Sequence, residues 1–146
     1  MGNAKEAALN VWKAFASRDP ERIRSALTPD ARWIAPPGNA TAIASGAAAE
    51  SLLTVDGIVA FITGAYNRIF PEGAAVEILR VVGEGDTAVI EQIFRARVAN
   101  GRMYENRYCW VFIARDGKIC EMREYMDTHA GFAGIFGEEP PRRLVN

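Results

Sequence analysis

Arg115-Asp116-Gly117-Lys118-Ile119-Cys120-Glu121-Met122-Arg123-Glu124-Tyr125-Met126-Asp127 holds a turn and the strand that leaves it. Arg115-Asp116-Gly117 reads as a three-residue hairpin loop, a type I turn closed by a left-handed glycine. Ala99-Asn100-Gly101 reads the same way. With side chains alternating between faces, these loops set Gln92 opposite Tyr108 and Tyr108 opposite Glu124. The next row on that face is Ile90, Trp110 and Met122, and the row beyond is Phe94, Asn106 and Met126. One carboxylate, Glu124, therefore lies among apolar and aromatic side chains. A buried acid must be neutralised, paired or used, because desolvation penalises its charged form.

Asn100-Gly101 alone would also suit a two-residue type I′ turn, which would flip strand 87–98 by one residue. The apolar parity decides for the longer loop: Ile90, Phe94, Ala96 and Val98 share one face, and Glu91, Arg95 and Arg97 share the other.

Upstream, residues 4–17 place Ala4, Ala8, Val11, Trp12 and Phe15 on one helical face. Asp19-Pro20-Glu21 is a cap with proline at the first helical position, and predicts a short helix to Leu27 that Thr28-Pro29-Asp30 stops. Arg32 to Ala35 reads as a short strand closed by Pro36-Pro37. Residues 38–51 are rich in Ala, Gly, Ser and Thr without a period, and read as an irregular pocket lip. Thr54 or Asp56 caps a helix carrying Ile58, Phe61, Ile62, Ala65, Tyr66 and Ile69, which Pro71 ends at Phe70. Strands follow near 75–83, 87–98, 103–114 and 118–127. Thr128 opens a last helix, His129 to Phe136, before a polar, Pro-rich tail at 137–146. Helices followed by an antiparallel meander form an α+β pattern, with helices covering one sheet face.

The 146 residues fit a single domain, 1–146. Seventeen basic against eighteen acidic residues leave a formal charge of −1. No basic stripe interleaves with aromatics, so nucleic acid is not an expected partner. No apolar run reaches the ~18 residues of a membrane span, and Met1-Gly2-Asn3-Ala4-Lys5 lacks a signal-peptide core, which predicts a cytoplasmic protein and no membrane partner. Cys109 and Cys120 lie on adjacent strands with opposite parity and read as reduced small hydrophobes. One histidine and scattered acids lack ligand spacing, so no metal and no cofactor is expected.

The order of elements resembles the nuclear-transport-factor-2-like superfamily of cone-shaped (cystatin-like) α+β domains, and within it the SnoaL-like group related to ketosteroid isomerase. The residues that carry the resemblance are Asn100-Gly101-Arg102-Met103-Tyr104, Tyr108-Cys109-Trp110-Val111-Phe112, and Arg115 to Ile119 leading to Arg123-Glu124-Tyr125-Met126-Asp127. It implies three N-terminal helices on a curved antiparallel sheet, a short C-terminal helix, and an apolar pocket at the open end. In the related limonene epoxide hydrolases an Asp precedes the Tyr of the last strand, where this chain has Glu124. Their Arg and Asp on a neighbouring strand fall on Gln92 and Phe94, so that water-activating unit is missing. Ketosteroid isomerase sets a carboxylate base opposite a Tyr donor, a pairing the residue types of Glu124 and Tyr108 resemble. The cyclase members need one acid over a hydrophobic pocket.

Glu124 has two readings: a general acid or base with its pKa raised by apolar neighbours, or a structural acid neutralised by a partner such as Arg32 or a helix terminus. Tyr108 would donate to Glu124 or to a ligand carbonyl. Gln92, Asn106, Trp110, Trp33, Phe94, Met122, Met126 and Tyr66 are the candidate ligand-binding set around them. Trp12, Phe132 and Phe136 read as further walls. His129, just after Asp127, invites an Asp–His pairing but equally suits an exposed helix start. The other face sets Arg95 against Glu105 and Glu105 against Asp127, among Glu91, Arg97, Arg107, Arg123 and Tyr125. The resemblance implies a homodimer through this convex face. Two functions remain open: a cofactor-independent enzyme moving a proton on an apolar carbonyl compound, as isomerase, cyclase or dehydratase, or a non-catalytic domain of the same fold for small-ligand binding or dimeric assembly.

Overall fold

Two capping side chains start the chain's first helices. Asn3 accepts from Lys5 N ahead of α1 (Ala4–Ser17), and Asp19 accepts from Glu21 N ahead of α2 (Pro20–Ala26). The computed structural model describes residues 3–46 and 52–137. The apolar face of α1 buries Ala4, Ala7, Ala8, Val11, Ala14 and Phe15. Strand β1 (Leu27–Ile34) begins directly after α2, so Thr28-Pro29-Asp30 is strand and not linker. Its pairing shifts between Leu27 and Arg32, a bulge that accommodates Pro29.

The lip segment is more ordered than its composition suggests. Asn39 accepts from Ala42 N, starting the short helix α3 (Ala40–Ala44), and its Nδ2 donates to Pro36 O. Residues 47–51 lie outside the described part, as do 138–146 of the C-terminal tail. Strand β2 (Leu52–Thr54) then leads into α4 (Val55–Ala60), a π-helical turn (Phe61–Ala65) and α5 (Tyr66–Ile69). These form one helix with a widened turn at Phe61, and Phe70 closes it ahead of Pro71.

Strands β3 (Ala74–Glu84), β4 (Thr87–Arg97), β5 (Met103–Arg115) and β6 (Lys118–Met126) form the meander, and α6 (Thr128–Phe136) follows with Asp127 as its cap. The sheet order is β2-β1-β6-β5-β4-β3. Every pairing is antiparallel except β1 with β6. The helix-containing stretch between β1 and β3 and the three hairpins after it bring β6 back beside β1 in the same direction.

The two hairpins differ. Ala99-Asn100-Gly101 is the three-residue loop expected: Val98 N donates to Arg102 O, Gly101 has φ 90°, and Gln92 pairs with Tyr108. The second loop holds only Asp116 and Gly117, both at positive φ (53° and 78°), with Arg115 paired to Lys118. A bulge at Cys120 then shifts the ladder again between Ile113 and Ala114. Shortening the loop by one residue and adding one in the strand preserves the parity but slides β6 by two residues. Glu124 consequently faces Trp110, Met126 faces Tyr108, and Met122 faces Phe112. The face predicted for Glu124 is right and its neighbour is wrong.

Candidate active site

Glu124 projects from β6 towards β1, where Trp33 meets it: the indole Nε1 donates to Oε2 at 2.8 Å. Trp33 is a fixed partner, 9 % exposed and stacked 6.1 Å from Phe15. Arg32, the cation suggested by sequence, is exposed and pairs along the strands with Thr54 and Glu121, with the opposite parity to Trp33. Among the described residues no lysine, arginine or histidine forms an ion pair with Glu124. Burial pushes its carboxyl up to about 7, and the Trp33 hydrogen bond only partly offsets this. Ionised and protonated forms are therefore both available near neutral pH.

The carboxylate opens on a cavity of about 120 Å³. Tyr108, Trp110, Gln92 and Phe94 form its sheet wall, Phe61, Tyr66 and Phe70 come from the helix with the π turn, and Asn39, Thr41 and Ser45 come from the lip. The widened turn at Phe61 places that ring edge-on to Trp33 (5.6 Å) and to Tyr66 (6.0 Å). A second chamber of about 310 Å³ adjoins the first, sharing Trp33, Tyr66, Gln92, Phe94 and Trp110, and continues between α1 and β3.

Tyr108 does not bond Glu124. Its hydroxyl meets that of Tyr104 at 2.5 Å, and Asn106 Nδ2 donates to Tyr104 (3.0 Å) and to Asp127 O (2.9 Å). Either hydroxyl of this pair can be the donor. Where Tyr104 donates, the Tyr108 proton is available to the cavity. Burial, together with the neighbouring Tyr104 and Glu124, holds Tyr108 well above the usual phenol range; burial raises Tyr104 as well. Both remain donors at neutral pH.

Of the residues singled out by sequence, Glu124, Tyr108, Gln92, Trp110, Trp33, Phe94 and Tyr66 line the first chamber. Asn106 sits behind Tyr104 with both N–H groups engaged and does not line either chamber. Met122 is fully buried against Phe112, and Met126 lies beyond the cavity beside Tyr108, both displaced by the two-residue slide. His129 is exposed in the first turn of α6, outside the cavity wall, while Asp127 caps Ala130 N. Trp12 walls the second chamber, and Phe132 and Phe136 stack on each other at 5.8 Å. Tyr104 escaped the sequence-based set although it shares the parity of Asn106 and Tyr108. Gly134, where a Cβ would approach Tyr104 Cδ2 to 2.6 Å, is the contact that seats α6 on this ring.

A family model described as a SnoaL-like domain matches residues 8–122. The chain belongs to the SnoaL-like family. Similar solved structures include an NTF2-like protein of unknown function from Burkholderia pseudomallei K96243, with 23 % identity, 93 % of this chain and 99 % of that chain covered, and TM-score 0.75. TerC, co-crystallized with polyporic acid, shares 25 % identity over 90 % of this chain and 97 % of its own, with TM-score 0.72. A protein from Jannaschia sp. CCS1 described as a SnoaL-like polyketide cyclase shares 19 % identity over 94 % of this chain and 93 % of its own, with TM-score 0.71. Comparison with curated proteins gives no match. These likenesses establish the nuclear-transport-factor-2-like fold. Among the described residues, no helix is long and apolar enough to cross a membrane, and no group of three or more His, Cys, Asp or Glu is placed to hold a metal ion.

Proposed function

We propose that this SnoaL-like domain is a cofactor-independent enzyme that moves a proton on an apolar, carbonyl-bearing small molecule. One observation carries the proposal: Glu124, with a carboxyl raised to about 7, is held by a neutral indole on the wall of an aromatic cavity it shares with Tyr108. A catalytic base or acid works best with a pKa near the operating pH.

In this reading the Glu124 carboxylate takes a proton from the carbon next to the carbonyl. The C–H electron pair forms the new C=C bond, and the carbonyl π pair moves onto oxygen. The Tyr108 hydroxyl donates to that oxygen, and its high pKa keeps it a donor rather than losing its own proton. Tyr104 and Asn106 act through Tyr108 as positioning residues. Protonated Glu124 then returns its proton at another carbon for isomerisation. Alternatively the enolate attacks a second carbonyl, whose oxygen takes the Glu124 proton in aldol cyclisation, or it expels a β-hydroxyl that takes the Glu124 proton and leaves as water in dehydration. The polyporic acid complex of TerC supports the use of this fold for small cyclic molecules. A homodimer through the convex face belongs to the same proposal, supported by Tyr125, which is 52 % exposed amid the charged rows there.

The test is deuterium incorporation from D₂O into 2-tetralone, an apolar ketone with acidic α-protons, followed by proton NMR. Wild type is expected to accelerate exchange over buffer, and Glu124→Gln to lose at least about 100-fold of that acceleration. Equal exchange by both proteins, or none above buffer, overturns the proposal in favour of a binding domain.

A further inference from the structure

The second chamber holds polar groups that proton transfer at Glu124 does not use. Gln92, only 4 % exposed, lines both chambers, and its Oε1 is buried without a hydrogen-bond partner. Trp12 Nε1 and Trp110 Nε1 are likewise buried without partners, and both indoles wall this chamber. An unmet buried donor or acceptor costs about 1–3 kcal/mol. Three such atoms on side chains of one cavity wall are an unusual concentration of unmet polar groups.

A cation completes the set. Arg18 lines the same chamber, half-buried, its guanidinium 4.4 Å from the centroid of Tyr66 and donating to Phe15 O. Among the described residues it forms no ion pair with a carboxylate. Its backbone position is equally informative. Arg18 closes α1 in the left-handed region (φ 57°), a place where glycine or asparagine fits at lower cost. The arginine side chain thus stands at the chamber wall on a backbone conformation that disfavours it. A flat guanidinium braced on an aromatic face matches a carboxylate in two-pronged fashion.

We infer that the second chamber is a specificity subsite for a carboxylate, so that the substrate is a keto acid lying across both chambers. Its carbonyl end meets Glu124 and Tyr108, its apolar body passes the shared Phe94, Trp110 and Tyr66 rings, and its carboxylate pairs with Arg18. This inference rests on the reading of Glu124 as the proton carrier only for which end of the molecule reacts; the anion preference stands independently of it.

The test is a tryptophan-fluorescence titration with 6-acetyl-2-naphthoate, which carries its ketone and its carboxylate at opposite ends of an apolar body, and with its methyl ester. Wild type is expected to bind the acid at least tenfold more tightly than the ester. Arg18→Asn, which suits the left-handed backbone, is expected to equalise the two while holding the ester within twofold of wild type. Arg18→Lys is expected to restore part of the preference, and Glu124→Gln to keep it. Equal affinities in wild type, no binding of either probe, a preference that survives Arg18→Asn, or its loss in Glu124→Gln each overturns the subsite. Absent α-proton exchange on the bound keto acid, with the anion preference intact, overturns the proton-transfer reading and leaves the subsite standing.

Discussion

The two faces of one sheet use the same strands and treat charge in opposite ways. On the convex face Arg95 meets Glu105 at 2.9 Å and Glu77 at 2.8 Å, Arg97 meets Glu72 at 3.2 Å, and Arg123 contacts Glu121. On the concave face, one residue away along each strand, Glu124 has an indole and the tyrosines have each other and Asn106. Water screens the first set, so its pairs are numerous and individually weak. Protein surrounds the second, so each polar group is placed singly and shifts the proton affinity of its neighbours. Alternation along β4, β5 and β6 thus separates a solvated charge ladder from a buried polar cluster by a single residue step.

The contrast can be broken from its strongest side first. Phe112→Ala empties a fully buried position on the concave face and is expected to cost about 3–5 kcal/mol in urea unfolding. The next effect is a pH dependence. Below the ordinary carboxyl value of 4.5, Glu124 is protonated folded and unfolded, and carries no penalty. As pH rises the unfolded chain ionises first, so stability falls between about 4.5 and 7 and levels off above, by roughly 3 kcal/mol in all. Unfolding at pH 5 and pH 8 checks this by difference, since Glu124→Gln should lack that component. Trp33→Phe removes the one bond that lowers the Glu124 pKa, and a carbon-13 NMR titration of Glu124 should move its midpoint upward. Tyr104→Phe is expected to cost about 1–3 kcal/mol, because Asn106 and Tyr108 both lose a buried partner. Arg95→Ala is the smallest: it breaks two exposed pairs at once, and the urea midpoint should barely move, still less in high salt. A large loss there would mean that the convex face is covered, as in a dimer.

Much of this was legible in the residues. Periodicity placed α1 at its observed bounds, and parity put Glu124, Tyr108, Gln92 and Trp110 on one concave face. Those signals are local: a side chain's face depends on its own strand's alternation, and a helix start depends on the next three residues. Asn39 shows the limit, since a cap before a short Ala-Thr run is easily lost in a segment without apolar period.

The sequence by itself determined which residues share the pocket side of the sheet, because a two-residue period survives any slide by an even number. Only the tertiary structure decided which of them touch. The Asp116-Gly117 turn and the Cys120 bulge cancel in parity and add in register, setting Trp110 rather than Tyr108 across from Glu124. The parallel return of β1 beside β6 then supplies Trp33, ninety-one residues away in sequence, as the carboxylate's partner. Contacts of that span depend on how the whole sheet closes, and no local pattern encodes them.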